Sequence, residues 1–85
     1  MRDFLISDEG YEIRWRFCDM FNCDIRIDEP GLDVVMDYNG KTYTLPSETT
    51  AKEIKNIFLK SIETKSNLLL KINLKEKKYD KSVLY

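Results

Sequence analysis

The sequence predicts an α+β domain in which one α-helix packs on one face of an antiparallel sheet of five or six strands. Several segments alternate apolar and polar residues, which is typical of half-buried strands. Asn39-Gly40 supplies the two positive-φ residues that a two-residue hairpin turn requires. Residues 51–62 carry apolar side chains at the three- and four-residue spacing of a helix. At 85 residues, the chain is expected to form a single domain, 1–85.

The N-terminal part is predicted to be a β-meander over residues 2–45. Residues 11–18 read YEIRWRFC and predict a strand with an aromatic inner face, whose inward residues are Tyr11, Ile13, Trp15 and Phe17. Before it, the apolar residues 4–6 followed by SDEG predict a short strand and a turn. Residues 2–18 are therefore expected to close as a hairpin.

The middle of the meander is predicted to contain three further strands. Residues 23–28 form the first of them, and the turn residues Glu29-Pro30-Gly31 separate it from the alternating segment 32–38. The Asn39-Gly40 turn then leads into residues 41–45, which return as the partner strand. Pro46 cannot donate a backbone hydrogen bond and is expected to end that strand.

A helix is predicted over about residues 48–65 and a final strand over about residues 68–78. Thr50 and Glu53 have the spacing of a capping box. The apolar stripe of this helix consists of Ala51, Ile54, Ile57, Phe58 and Ile62. The final strand is inferred from the alternation of Leu68, Leu70, Ile72 and Leu74 with the residues between them.

The segment NGKTYTLPSETTAKEIKNIF resembles the opening hairpin and helix of ubiquitin-like β-grasp domains. It covers about a quarter of the chain. The resemblance implies a tight hairpin followed by a Thr-capped helix. Three candidate strands precede the segment, where a β-grasp domain would begin, and no Gly-Gly terminus follows it. The resemblance therefore implies local structure and no function.

Charge is distributed unevenly along the chain. Residues 1–40 contain ten acidic residues against four arginines, whereas residues 41–85 contain ten lysines against five acidic residues. If the two halves stay apart in space, this asymmetry indicates a charged binding surface. If their strands pair, the charges neutralise one another across the sheet. The sequence leaves both interpretations open.

The residue types argue against an enzyme. The chain contains no His, which removes the commonest general base and the usual nucleophile-activating partner. Asp33 and Asp37 would lie roughly 13 Å apart along one strand at about 3.3 Å per residue, too far to work as a paired acid and base. A phosphate-binding glycine-rich loop is also missing from the sequence. We expect no catalytic residue and no cofactor.

Cys18 and Cys23, in the segment CDMFNC, form the one cysteine pair of the chain. A zinc site would need four ligands, and carboxylates would have to supply the other two, so we expect no metal. A disulfide requires that the two side chains face each other. Two reduced thiols are the expected state, because the protein is expected in the cytoplasm.

The cytoplasmic location is inferred from two absences in the sequence. No apolar run approaches the ~20 residues that a membrane span needs. The opening MRDFLIS is too short and too acidic for a secretory signal. The abundance of Lys, Ile, Asn and Tyr further indicates a low-GC genome, such as that of a Gram-positive bacterium or its phage.

By elimination, the expected function is protein binding. We predict a small interaction module that inhibits a larger, nucleic-acid-handling enzyme stoichiometrically, as phage-encoded inhibitors such as anti-CRISPR proteins do as a class. The predicted partner-binding residues are four acids and three apolar residues, namely Asp24, Asp28, Asp33, Asp37, Met20, Phe21 and Tyr85. The alternative is a nucleic-acid-binding accessory protein that uses the Lys-rich final strand with Arg14, Arg16 and Arg26. Homodimer formation is left open.

Overall fold

The computed structural model describes residues 1–28, 32–72 and 74–76 of the chain. In this part of the chain, three α-helices accompany one four-stranded antiparallel sheet. In chain order the elements are α1 Arg2–Ile6, α2 Asp8–Phe21, β1 Cys23–Asp28, β2 Asp33–Tyr38, β3 Lys41–Thr44, α3 Ala51–Thr64, a 3₁₀ helix Leu68–Lys71 and β4 Lys75–Glu76.

The prediction of five or six strands with one helix is wrong, because the predicted hairpin over residues 2–18 is helical. The helices α1 and α2 replace its two strands. The alternating aromatic pattern arises from two pairs with four-residue spacing, Ile13 with Phe17 and Tyr11 with Trp15. Two residues correspond to about 200° around a helix, so the two pairs lie on nearly opposite faces. Interleaved along the chain, they imitate the period of a strand.

The segment SDEG starts helix α2 instead of making a turn. The Ser7 side chain accepts a hydrogen bond of 3.1 Å from the Gly10 N–H, and two acidic residues follow in the first turn. This is the arrangement of an N-cap with favourable charge at the positive end of the helix. Gly10 is buried because α1 crosses it closely: a Cβ at this position would lie 1.7 Å from the Phe4 carbonyl oxygen. Because Gly10 has no side chain, α1 can pack directly against the backbone of α2 at this position.

The sheet has the order β1-β2-β3-β4 and all neighbours are antiparallel. The Asn39-Gly40 hairpin is confirmed, with φ of 56° and 80° at its two residues. The predicted turn at residues 29–31 lies outside the described residues. The β-meander thus runs over residues 23–44 of the described chain, and not over residues 2–45.

The predicted helix and its cap are confirmed in α3, which begins at Ala51 and ends at Thr64. Thr50 Oγ1 accepts a hydrogen bond from the Glu53 N–H and donates one to the Glu53 carboxylate. Ile54 and Phe58 of the predicted stripe are fully buried. Ile57 and Ile62 pack against the core as expected, whereas Ala51 at the start of the helix is exposed.

The final strand predicted over about residues 68–78 is also wrong for most of its described length. Asn67 Oδ1 accepts the Leu69 N–H, and a 3₁₀ helix follows at Leu68–Lys71. Leu69 is fully buried and Leu70 is exposed, which reverses the predicted alternation. A short strand, β4, then pairs with β3. Residues 77–78 lie outside the described part.

The core lies between the helices and the inner face of the sheet. The rings of Phe17 and Phe58 join α2 to α3, with their centroids 4.8 Å apart. Glu9 and Lys55 form an ion pair between the same two helices. The buried cluster comprises Leu5, Ile13, Phe17, Ile25, Val34, Met36, Leu45, Ile54, Phe58 and Leu69. The opposite, outer face of the sheet is consequently turned away from all three helices.

Candidate functional site

The four predicted aspartates share the outer face of strands β1 and β2. Their strand neighbours Ile25, Val34 and Met36 belong to the core, so alternation turns the aspartates to the other side. We call this surface the acidic sheet face and define it by Asp24, Arg26 and Asp28 of β1, Asp33, Val35 and Asp37 of β2, and Thr42 of β3. Val35 lies at the centre of this face and is fully buried. Asp24 and Asp37 lie toward one end of the face, and Asp28 and Asp33 lie toward the other.

The strand register places like charges directly opposite each other at both ends of this face. Asp24 is the cross-strand partner of Asp37, and Asp28 is the partner of Asp33. Such pairs are destabilising unless a cation offsets them. Arg26 lies between them, with Nη1 2.9 Å from the Asp28 carboxylate and Nε 3.1 Å from that of Asp37. The Arg26 guanidinium therefore forms an ion pair with one aspartate at each end of the acidic sheet face.

Asp37 has a further partner on the neighbouring strand. Thr42 Oγ1 donates a hydrogen bond of 2.6 Å to its carboxylate. The Thr42 hydroxyl, followed by the Arg26 guanidinium, lowers the pKa of Asp37, because both favour the ionised form. An ionised Asp37 beside its bound cation is poorly suited to donate a proton as a general acid. Its role in this structure is to hold Arg26 in place.

Asp24 and Asp33 are the remaining acids of the face, and both are exposed. Neither makes a side-chain hydrogen bond or ion pair with another described residue. Asp24 also borders an open depression of about 590 Å³ at the β2–β3 turn, which Asp37, Lys41 and Thr42 line as well. These two carboxylates are therefore the ones most available to a partner.

The apolar residues of the predicted site are not brought together with the acids. Met20 and Phe21 belong to the last turn of α2 on the helical side, and not to a loop. Met20 is 44% exposed, whereas Phe21 packs on the core with its ring 4.8 Å from that of Phe17. Tyr85 lies outside the described residues. Of the three, Met20 is the one shown to be exposed.

Helix α2 covers part of the free edge of β1 with its side chains. Arg14 Nη1 donates a hydrogen bond of 3.0 Å to the Ile25 carbonyl oxygen. The carbonyl of this edge residue is thus occupied, which limits pairing with another strand. The Arg14 guanidinium also lies 5.4 Å from the centre of the Tyr11 ring. Arg14 is therefore a structural residue.

Cys18 and Cys23 are free, half-buried thiols in mutual contact, one in α2 and the other at the start of β1. A hydrogen bond from Cys23, supported by the Ile25 N–H, lowers the pKa of Cys18. The same hydrogen bond, together with burial, raises the pKa of Cys23. Among the described residues, no group of three or more His, Cys, Asp or Glu side chains could hold a metal ion.

The two most exposed aromatic side chains of the described residues were predicted to be buried. Tyr11 and Trp15 were expected to point inward, but they are 57% and 60% exposed on α2. The signal that could have revealed this is their four-residue spacing, offset by two residues from Ile13 and Phe17. Thr42 was not predicted as a partner of Asp37, although the predicted two-residue hairpin already pairs these two positions across the strands.

Comparisons with known proteins give no relative. No protein-family model matches this chain, and no curated protein and no solved structure is significantly similar to it. Within the described residues, none of the helices has the length and apolar character required to span a membrane.

Proposed function

We propose that this chain is a small protein-interaction module without enzymatic activity, and that it inhibits a larger, nucleic-acid-handling enzyme stoichiometrically. The proposed partner surface is the acidic sheet face. The observation that carries the proposal is the position of Asp24 and Asp33, two exposed carboxylates without partners among the described residues, toward opposite ends of a face that also holds Asp28 and Asp37. Such a surface suits lysines and arginines that normally bind phosphates.

The arrangement of the face also supports binding over chemistry. The depression beside Asp24 is open, so it would not exclude water from a bound substrate. The guanidinium of Arg26 fixes the other two acids in ion pairs across the strands. A fixed, preorganised charge pattern lowers the ordering cost of association. We assign the module to the cytoplasm, where thiols such as Cys18 and Cys23 remain reduced, and to a bacterial or phage setting of the anti-CRISPR type.

The proposal is tested by affinity capture and then by charge neutralisation. The immobilised chain is incubated with a low-GC bacterial lysate with and without nuclease, and an enzyme retained after nuclease treatment is purified. We expect inhibition to saturate at one chain per active site. The double variant Asp24→Asn/Asp33→Asn should slow association at least several-fold at low salt, because exposed charges act chiefly on the association rate.

A matched control separates position from net charge. Glu12→Gln/Glu63→Gln removes two exposed acids of helices α2 and α3 and should leave the association rate nearly unchanged. Both double variants should keep their melting temperature, because exposed charges contribute little to folding. Equal effects of the two double variants, or an association rate that does not respond to salt, would exclude the acidic sheet face as the contact.

The nucleic-acid alternative receives no specific support from the described residues. Arg14 is bound to the Ile25 carbonyl and Arg26 to two aspartates, so Arg16 is the most exposed of the three arginines it requires. Residues 77–81 of the lysine-rich segment lie outside the described part. Retention that disappears on nuclease treatment would favour this alternative.

A further inference from the structure

Helix α2 has an apolar stripe that the fold does not use. Ile13 and Phe17 face the core, while Tyr11 and Trp15 lie on the opposite side. The Tyr11 ring contacts the Arg14 guanidinium, but Trp15 makes no hydrogen bond and no ring contact with any described residue. Trp is a residue type that is highly buried on average. An indole 60% exposed on a rigid helix is therefore available for contact.

Three unpaired acids lie along one side of this stripe. Asp8 precedes Tyr11 by three residues, Glu12 precedes Trp15 by three, and Asp19 follows Trp15 by four, which makes each a neighbour on the helix surface. All three are exposed, and none forms an ion pair with another described residue. Arg14 lies on the other side, where its guanidinium is held by the Ile25 carbonyl and the Tyr11 ring. The stripe is thus an aromatic ridge with a negative border along one side.

We propose that Tyr11 and Trp15 form a second docking surface, and that its occupant is a protein with an apolar surface bordered by Lys or Arg. Aromatic anchors at four-residue spacing on one helix face are the usual way in which a helix enters an apolar groove. Trp and Tyr dominate the energetics of such contacts. The surface belongs to the helical layer, so it is separate from the acidic sheet face and does not depend on the function proposed for that face.

Charge decides between the occupants that could cover the ridge. Nucleic acid and anionic membranes would place phosphates beside Asp8, Glu12 and Asp19, which is unfavourable. A symmetric antiparallel contact between two copies would bring the acid-lined sides of the two helices together. A basic protein surface instead pairs with them while the two rings enter its apolar centre.

Trp15 provides the measurement, because it is the one tryptophan of the chain. The probe is a synthetic amphipathic helical peptide with a leucine face bordered by lysines, and the matched control replaces the lysines with glutamates. We expect the lysine peptide to shift Trp15 emission to shorter wavelength and to reduce acrylamide quenching in a saturable, salt-sensitive manner. The glutamate peptide should have no such effect.

Variants locate the contact, with binding followed through a dye on the peptide. Trp15→Ala should weaken binding at least about tenfold, as expected for a central aromatic anchor. Glu12→Gln/Asp19→Asn should weaken it several-fold and reduce its salt dependence. Ile6→Ala, which truncates an apolar side chain 66% exposed on α1, is the matched control and should bind normally. Unchanged circular dichroism confirms that each variant is folded.

Several results would overturn the proposal. Absence of saturable binding, equal binding of both peptides, or binding unaffected by Trp15→Ala would each exclude a basic partner for this ridge. A concentration-dependent dimer that Trp15→Ala abolishes would assign the ridge to a second copy of the chain. An emission shift with anionic phospholipid vesicles but not with the lysine peptide would assign it to a membrane surface.

Discussion

Helices α2 and α3 are built on the same plan but differ in what they bury. Each has 14 residues, each starts after a hydroxyl side chain that accepts the third residue's N–H, and each ends at a residue with positive φ. At positions four and eight, α3 buries Ile54 and Phe58 completely, whereas α2 exposes Tyr11 and Trp15. Helix ends and helix faces are therefore encoded separately in this chain.

The similarity extends to the eleventh position of each helix. Ser61 Oγ in α3 accepts the N–H of Leu68, seven residues later. Cys18 in α2 lies beside the N–H of Ile25, also seven residues later, which helps to lower the pKa of its thiol. In both cases a small side chain in the last turn lies beside a backbone N–H of the next element. Each helix thereby fixes the direction of the chain that follows it.

The sharpest test of the comparison is truncation at the eighth position of both helices. Phe58→Ala should lower the free energy of unfolding by about 3–5 kcal/mol, because it leaves a cavity at the contact with Phe17. Trp15→Ala should cost less than about 1 kcal/mol, because surface substitutions away from buried features usually have small effects. Urea melts measure both. A comparable loss in the two variants would mean that the Trp15 face is part of the folding core.

Substitutions at the third position of each helix test whether α2 needs the close contact between Gly10 and α1. Gly10→Ala should destabilise the domain by about 1–3 kcal/mol, because its methyl group would meet the Phe4 carbonyl and push α1 away. In α3 the matched change Glu53→Ala removes a carboxylate but leaves the hydrogen bond from the residue 53 N–H to Thr50 intact. We therefore expect the free energy of unfolding to fall by less than about 1 kcal/mol. An unchanged melting temperature for Gly10→Ala would show that stability does not require the close contact between α1 and position 10.

Substitutions at the eleventh position of α2 and α3 should give a smaller difference in the free energy of unfolding than those at the eighth position. Ser61 is fully buried, donates to the Ile57 carbonyl and accepts from the Leu68 N–H. Ser61→Ala leaves that N–H without its acceptor and should cost about 1–2 kcal/mol. Cys18→Ala should cost less, because sulfur is a weak acceptor. Equal losses in urea denaturation would mean that the sulfur contact is as strong as the hydroxyl one.

The last prediction concerns the two thiols beside the α2–β1 junction. Changes at these thiols should affect stability least, but their reactivity toward alkylation should differ clearly. Because the pKa of Cys18 is lowered and that of Cys23 is raised, Cys18 should form the thiolate first as the pH rises. We expect iodoacetamide to modify Cys18 faster, as measured by mass spectrometry across a pH series. In Cys23→Ala, loss of the hydrogen-bond partner should raise the pKa of Cys18 and slow its alkylation near neutral pH. Faster modification of Cys23 in the unaltered chain would contradict this assignment.

Local signals in the sequence were sufficient for part of the fold. Asn39-Gly40 predicted its hairpin correctly, because two adjacent positive-φ residues leave little alternative to a tight turn. Thr50 and the single apolar stripe predicted α3, since the cap and the periodicity agree. The placement of Asp24, Asp28, Asp33 and Asp37 on one strand face also followed from alternation once β1 and β2 were paired. What these carboxylates bind stays a prediction.

Other features depended on contacts between distant residues. The alternation of residues 11–17 does not by itself distinguish a strand from a helix with two stripes, although Ser7 supplies a local N-cap signal for the helix. Packing decides: Ile13 and Phe17 meet Phe58 and the sheet, while Gly10 admits α1. For the same reason, the leucine run after Asn67 became a 3₁₀ helix when the Ser61 hydroxyl and the Asn67 side chain bound its first N–H groups.

Adjacent residues were sufficient to predict the Asn39-Gly40 turn and the start of α3, because these depend on φ preferences and on a side-chain acceptor next to the helix. Only contacts between distant residues decided which side of α2 is buried and that residues 68–71 form a 3₁₀ helix. Those contacts also set Arg26 between Asp28 and Asp37 and left Trp15 exposed. Burial is a property of pairs of surfaces, so it is settled only when residues remote in the chain come together.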